Sequence, residues 1–395
     1  MLKSTDPKHF FETDAAQAKR ERQAAKAGNE YGNPITLKSK ILAVTQDPQS
    51  PSSTVFVAES TGSVRKVNVD SREVEAVYRG PTAPVTCVTV GGRRRMTVFA
   101  GSWDRAVWSW DAESAAPGRK YIGHADFVKA VTCGTLLDTE ILISGGADKK
   151  IIVWDGRTGA RLHTLQDGIV TMLAVQDLII DPLETKTDEI LLVSASSDPH
   201  IRRWKIRLES WEQVSETAPD TPGAERRTIL EHETTVYKLV FDHDSDEVDL
   251  WTSSGDGTAK CLSRLAGFKT EDSLTHGDHV RAVAVTDSWV ITAGRDEDLR
   301  IWERASGHQR FRLEGHFDEI TDLVVLRGTH ERLVSVSIDG TMRIWSLETA
   351  DLEALAEEQS KTKVAGPDGE EIKKGGPHLT AEEEAELASL MDDDE

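Results

Sequence analysis

The chain has 395 residues, 38% apolar and 29% charged, with a net charge of −21, which is enough for one large domain or two ordinary ones with a substantial core. Its apolar runs are strand-sized and broken by charge within about 8 residues, against the ~20 a membrane-spanning helix needs, so no transmembrane segment is expected. An acidic balance without clustered Lys and Arg argues against direct attraction to nucleic-acid phosphates and favours protein partners, basic ones in particular.

In chain order, the N-terminus MLKSTDPKHFFETDAAQAKRERQ carries charge where a secretory signal has its apolar centre, so cytoplasmic or nuclear residence is expected. Residues 10–27 predict a helix: Asp14 with Gln17 offers a capping box, the interior is Ala-rich, and Gly28 ends it. Its polar face, with Lys19, Arg20, Arg22 and Lys26, is read as a solvated face that frays, or else as a partner-binding arm. Cys87, Cys133 and Cys261 lie outside any CxxC pair or Cys/His cluster and read as small buried residues of a reducing compartment.

From there a twelve-residue pattern recurs, with a small hydroxyl first, Asp fifth and Trp eleventh. It appears as SGGADKKIIVWD (144–155), SASSDPHIRRWK (194–205), TAGRDEDLRIWE (292–303) and SVSIDGTMRIWS (335–346), and as AGSWDRAVWSWD (100–111) with Ala100 in the hydroxyl place. Degraded copies are VAESTGSVRKVN (57–68) and TSSGDGTAKCLS (252–263). The eleventh positions, 67, 110, 154, 204, 262, 302 and 345, are separated by 43, 44, 50, 58, 40 and 43 residues. A histidine precedes four copies, at His124, His232, His276 and His316. Between these landmarks, β-branched runs such as LLVSAS, WVITAG and RLVSVS are bounded by turn residues, as strands are.

These residues resemble the WD-repeat β-propeller family over about residues 31–349. The resemblance implies an all-β, seven-bladed propeller in which His, hydroxyl, Asp and Trp form a buried network locking each blade's turns. Complete sets are His124, Ser144, Asp148, Trp154; His276, Thr292, Asp296, Trp302; and His316, Ser335, Asp339, Trp345. The chemistry suits the residue types, since the indole only donates, the hydroxyl does both, imidazole bridges and carboxylate accepts. Blade five has His232, Thr252 and Asp256 but no indole. Blades one, two and four lack the histidine, so the turns of those three are expected to be looser. Because the seventh blade wants an outer strand, ITLKS (35–39) is predicted to latch onto the sheet containing Trp345. The expected domains are an N-terminal helical arm (1–30), the propeller (31–349) and an acidic tail (350–395).

Outside the repeat, residues 209–227 form a polar insertion in blade four, whose Trp211 either folds back on the ring or is offered to a partner. GGRRR (91–95) reads as a solvated hairpin turn, with phosphate contact as the alternative. After ADLEALAEEQ, which favours helix, residues 361–378 read as a disordered linker. The last residues, LTAEEEAELASLMDDDE, place Leu387, Leu390 and Met391 along one side of a short helix, either a solubilising tail or a segment that folds on a basic partner.

With the network residues accounted for, no metal-spaced cluster or nucleophile elbow remains, so no catalytic residue, metal or cofactor is assigned. The reading is a non-catalytic scaffold or adaptor, monomeric within a larger complex. In the resembled family, the turns before the network Asp and after the network His share one rim, so Trp103, Phe127, Arg295 and Ile338 are the expected partner-binding residues. Trp108 and Ile152 stand where five other copies have a basic residue, and are read as inter-blade packing or as an exposed patch. ISGGADKKIIVWDGR (143–157) also resembles the WDxR box by which WD-repeat substrate receptors dock on the adaptor of a cullin-type ubiquitin ligase, with Arg157 as the informative residue. A third reading is a nuclear assembly factor for ribosome, chromatin or splicing that holds a basic partner through its tail.

Overall fold

The computed structural model describes residues 14–92, 96–217 and 225–365. The chain divides into two compact units, residues 1–352 and 353–395. In the first, seven antiparallel sheets follow one another around a ring, each a blade. Blade one comprises Ile41–Gln46, Thr54–Glu59, Val64–Asn68 and Glu73–Tyr78. Blades two to six span 85–122, 128–165, 175–230, 236–275 and 280–313. Blade seven takes three strands from 320–346 and its fourth from Ile35–Thr36.

The second strand of a blade is the most enclosed. Thr54–Glu59, Ile190–Ser196 and Trp289–Gly294 are buried at every position, because each sheet has a neighbour on both faces and both side-chain rows must be apolar or small. The core therefore lies between blades. Val193, Ala195 and Ile201 of blade four pack with Val236, Leu239 and Leu250 of blade five, and each such aliphatic contributes roughly 1.5–3 kcal/mol. The innermost strands of successive blades adjoin one another, and Ile320–Leu326 meets Ile41–Gln46 to close the ring.

The predicted latch is present. Ile35 and Thr36 pair with Met342 and Thr341, and the Leu37 amide donates to the Gly340 carbonyl at 2.8 Å. Ile35 and Leu37 join Val55, Val57, Val334 and Met342 in one cluster across the seam. Gly32 lies against the Trp345 ring, where a Cβ would come within 2.7 Å, and its φ of +70° lies in the left-handed region that favours glycine.

The N-terminal helix, α1 (Asp14–Lys26), does not stand free; the predicted start, residues 10–13, lies outside the described residues. Arg22 pairs with Glu297 at 2.8 Å and Lys26 with Asp298 at 3.0 Å, while Asn29 donates to Gly315 and accepts from Arg343. Arg22 and Lys26 of the cationic face thus serve the protein's own blade six. The second helix, α2 (Thr349–Ala365), runs into what was read as linker from residue 361. The rest of that linker, Leu387, Leu390 and Met391, and the arginines 93–95 lie outside the described residues.

The described parts of the blade-four insertion split its outer strand, and residues 218–224 lie outside the described residues. Trp211–Gln213 and Thr228–Leu230 pair with opposite halves of His200–Ile206, and Trp211 folds back, 5.8 Å from the Trp204 ring.

Ile35→Asp places a charge in the closing seam and is expected to cost on the order of 3 kcal/mol. Thr36→Asp, on the exposed side of the same strand, is expected to change stability by less than about 0.5 kcal/mol. Thermal denaturation of the two variants checks the pair.

Candidate functional site

In antiparallel blades, the turns leaving each second strand and those entering each first strand fall on one face. Every blade folds its chain over a buried or half-buried acid there. In blade three, His124 bridges Asp148 and Ser144, each at 2.9 Å, and Trp154 donates to Ser144 at 2.8 Å. In blade six, His276 bridges Thr292 and Asp296 at 2.8 and 2.9 Å, with Trp302 on Thr292. Blade seven repeats this with His316, Ser335, Asp339 and Trp345. In blade five, Thr252 receives His232 and donates to the Lys260 carbonyl in place of serving an indole.

Blades one, two and four are clasped by other chemistry. In blade four the fully buried Arg202 spans Asp167, Ser196 and Asp198 at 2.8–3.0 Å. Blade one uses Glu59, which receives Ser39, Ser63 and Arg65. Blade two uses Asp104, which receives the Trp108 indole at 2.9 Å and Lys120 at 3.2 Å. Charge-assisted bonds take the place of histidine in these blades. Three members of the basic stripe, Arg65, Arg202 and Arg300, act in this way, each reaching an acid of its own turn, whereas Lys260 donates to the Glu231 carbonyl and Arg343 to Asn29. Trp108 is held in its clasp and Ile152 is fully buried, so no exposed patch exists there.

Burial alone would raise the carboxyls of Asp148, Asp256, Asp296 and Asp339, but the histidine bonds and neighbouring donors hold each below the usual carboxylate range. Burial pushes the His316 imidazole down, against the pull of Asp339.

Above the clasps lies the rim. In all seven blades, the amide just before the turn acid's place donates to the carbonyl that ends the incoming loop: Ser60 to Lys40, Trp103 to Pro84, Ala147 to Phe127, Ser197 to Ala174, Gly255 to Thr235, Arg295 to His279 and Ile338 to Glu319, at 2.7–3.2 Å. Trp103 and Phe127, from blades two and three, stack with centroids 4.8 Å apart and planes 14° apart. They stay 43% and 41% exposed. Ile169, 68% exposed, extends the apolar character into the loop entering blade four. Arg295 is exposed and Ile338 half-buried on the same rim, whereas Arg157 is exposed on the opposite face, in the turn after Ile151–Asp155.

The innermost strand of every blade has a register irregularity at its second residue: Leu42, Thr86, Lys129, Gln176, Tyr237, Arg281 and Thr321. Bulges re-aim side chains, and all seven line a central cavity of about 480 Å³. Lys129 donates to Gln176 at 2.7 Å, and burial together with Arg281 pushes its ammonium down to about 8. Arg281 lies 4.3 Å over the Tyr237 ring and 3.1 Å from Glu319. Deeper, Lys238 pairs with Asp322 at 2.9 Å, and burial raises the Cys87 thiol to about 12. Among the described residues, no group of three His, Cys, Asp or Glu is placed to hold a metal ion.

The family model described as WD domain, G-beta repeat matches residues 72–111, 116–155 and 307–346. Each match opens on the outer strand of one blade and closes on the third strand of the next, the offset that obliges Ile35–Thr36 to complete blade seven. An uncharacterized WD repeat-containing protein of Schizosaccharomyces pombe is 28% identical over 99% of this chain and 100% of its own length. Nuclear distribution protein PAC1 of Arthroderma benhamiae is 27% identical over 70% of this chain, which spans only 52% of that relative. The p21-activated protein kinase-interacting protein 1-like of Gallus gallus is 22% identical over 69% of this chain and 65% of its own length. Repeat, blade count and clasp chemistry agree: the chain carries WD repeats and folds as a seven-bladed β-propeller.

Two tests address the clasps. Arg202→Ala strands Asp167 and Asp198 without their cation and is expected to cost about 3–5 kcal/mol, against about 1–3 kcal/mol for each group orphaned by Ser335→Ala; denaturant titration ranks the two. The depressed His316 stays neutral in the fold while the unfolded chain takes up a proton below about 6.5. Stability from this group is therefore full above that pH and falls as the pH drops. The depressed aspartates add a second loss as the pH falls through and below about 4. Calorimetry across pH is expected to show both steps, with His316→Gln reducing the upper one, to which the depressed His200 also contributes.

Proposed function

We propose that this propeller is a non-catalytic scaffold that holds protein partners on the rim around its channel mouth. The stacked pair Trp103–Phe127 carries the reading: two large rings, each more than 40% exposed, sit where blade architecture requires no aromatic residue. Rigid aromatic side chains supply contact area at little entropic cost, which is why they anchor interfaces. Arg295 and Ile338 share that rim and complete the expected contact set. The protein works as a monomer inside a larger assembly, in the cytoplasm or the nucleus, and its acidic terminus engages a basic component.

Trp103→Ala is expected to reduce capture of rim partners by about tenfold or more, in the range of an interface hot spot, with an unchanged melting temperature. Quantitative affinity purification of wild type and variant measures this, and equal capture of every partner removes Trp103 from the interface.

A second reading rests on the position of Arg157. Its side chain is exposed on the face opposite Trp103, so an adaptor held there leaves the rim free for a second protein. That arrangement suits the substrate receptor of a cullin-type ubiquitin ligase. Arg157→Ala is expected to abolish co-purification of the adaptor without changing the melting curve.

A further inference from the structure

The residue following the turn acid's place adopts a left-handed backbone in six of the seven blades: Gly62, Arg105, Lys149, Gly257, Glu297 and Gly340, with φ between +65° and +85°. Glycine occupies such a position without steric cost, and a long side chain does not. Three blades use glycine, so the other three keep a side chain there against backbone preference. Strain of this kind is a pointer to a use for the side chain.

For Glu297 the use is internal. Its carboxylate is buried and holds Arg22 and Lys26 of α1. Arg105 and Lys149 have no such answer. Both are exposed, and among the described residues neither has a carboxylate within ion-pair distance. They occupy adjacent blades, two residues beyond Trp103 and Ala147, on the sector that carries the Trp103–Phe127 stack.

The surroundings extend the same sign. Lys38 and Lys40, entering blade one, and Arg79, leaving it, are also exposed on this face and likewise have no ion pair among the described residues. Asp126 is the acid beside the stack, and it already accepts the Phe127 amide at 2.8 Å. Asp104 is taken by Trp108 and Lys120. Across the ring, the corresponding loops of blades five to seven carry Glu233, Asp278, Asp318 and Glu319. A chain of net charge −21 thus keeps a cationic, aromatic sector on one part of one face.

We infer that the sector over blades one to three binds an acidic peptide segment, with a bulky apolar side chain seated on the Trp103–Phe127 stack and carboxylates meeting Arg105 and Lys149. This deepens the rim reading and rests on it. The five unpaired cations steer an acidic segment to a face that the rest of the protein's charge would repel. The stack supplies the anchor that surface charge alone lacks.

The test selects short random peptides, displayed on phage, against the full chain. Enriched peptides are then remeasured by fluorescence anisotropy on wild type, Trp103→Ala and the double variant Arg105→Gly/Lys149→Gly. Enrichment of Asp or Glu within a few residues of Phe, Trp or Leu is expected. The double glycine variant is expected to weaken binding about tenfold at low salt and less at high salt. Its melting temperature is expected to equal or exceed that of wild type, since glycine suits the turn, so the lost binding does not reflect misfolding. Trp103-dependent binding of neutral or basic peptides, or affinity unchanged by the glycine substitutions, overturns the acidic assignment and leaves the rim reading standing. Absence of enrichment, or binding indifferent to Trp103, overturns both.

Discussion

Each blade folds back over an acid at its upper turn, and the ring's upper face depends on how that acid is answered. Seven acids occupy equivalent turns: Glu59, Asp104, Asp148, Asp198, Asp256, Asp296 and Asp339. Four are answered by histidine, one by Arg202, one by Arg65 with two serines, and one by an indole with a lysine. What is constant is the requirement that a desolvated carboxylate be paired and hydrogen-bonded. The donor varies because arginine, histidine and indole can all reach the same oxygen from the third strand or the incoming loop.

That distinction explains what the amino-acid order reveals. The complete sets around Trp154, Trp302 and Trp345 were legible because one solution repeats with the same atoms at the same offsets. The clasps of Glu59 and Arg202 were not, because they reach the same end with different residue types. A signal for them did exist: a donor four places after the acid, as in Asp104–Trp108, Asp198–Arg202 and Asp296–Arg300. The latch was legible once the family resemblance implied seven four-stranded blades, since the seventh then lacks an outer strand. The docking of α1 was not, since Arg22 and Glu297 are 275 residues apart and neither position is marked by a repeat. Nor were the seven bulges, which are register defects between strands and leave no mark in composition.

The bulges and clasps together define the working surface. A clasp fixes the turn, the turn amide holds the incoming loop through one backbone bond, and the loop delivers the chain to the bulge. In each blade the side chains at the turn, the loop end and the bulge are thereby set by backbone geometry that does not depend on their identity. The positions repeat while their occupants differ, from Leu42 to Arg281 and from Gly255 to Trp103.

This separation of support from display has an energetic consequence for binding. A partner that docks on the rim meets side chains whose backbone is already ordered by buried bonds, so little conformational entropy is lost on the propeller's side. The Trp103–Phe127 stack orders two rings against each other before any partner arrives. Selectivity then rests on side chains at fixed places, and residues such as Arg105 and Lys149 can be retained at a local backbone cost of roughly 1–2 kcal/mol each. The core between the blades is extensive enough to absorb that cost, since complete second strands are buried on both faces.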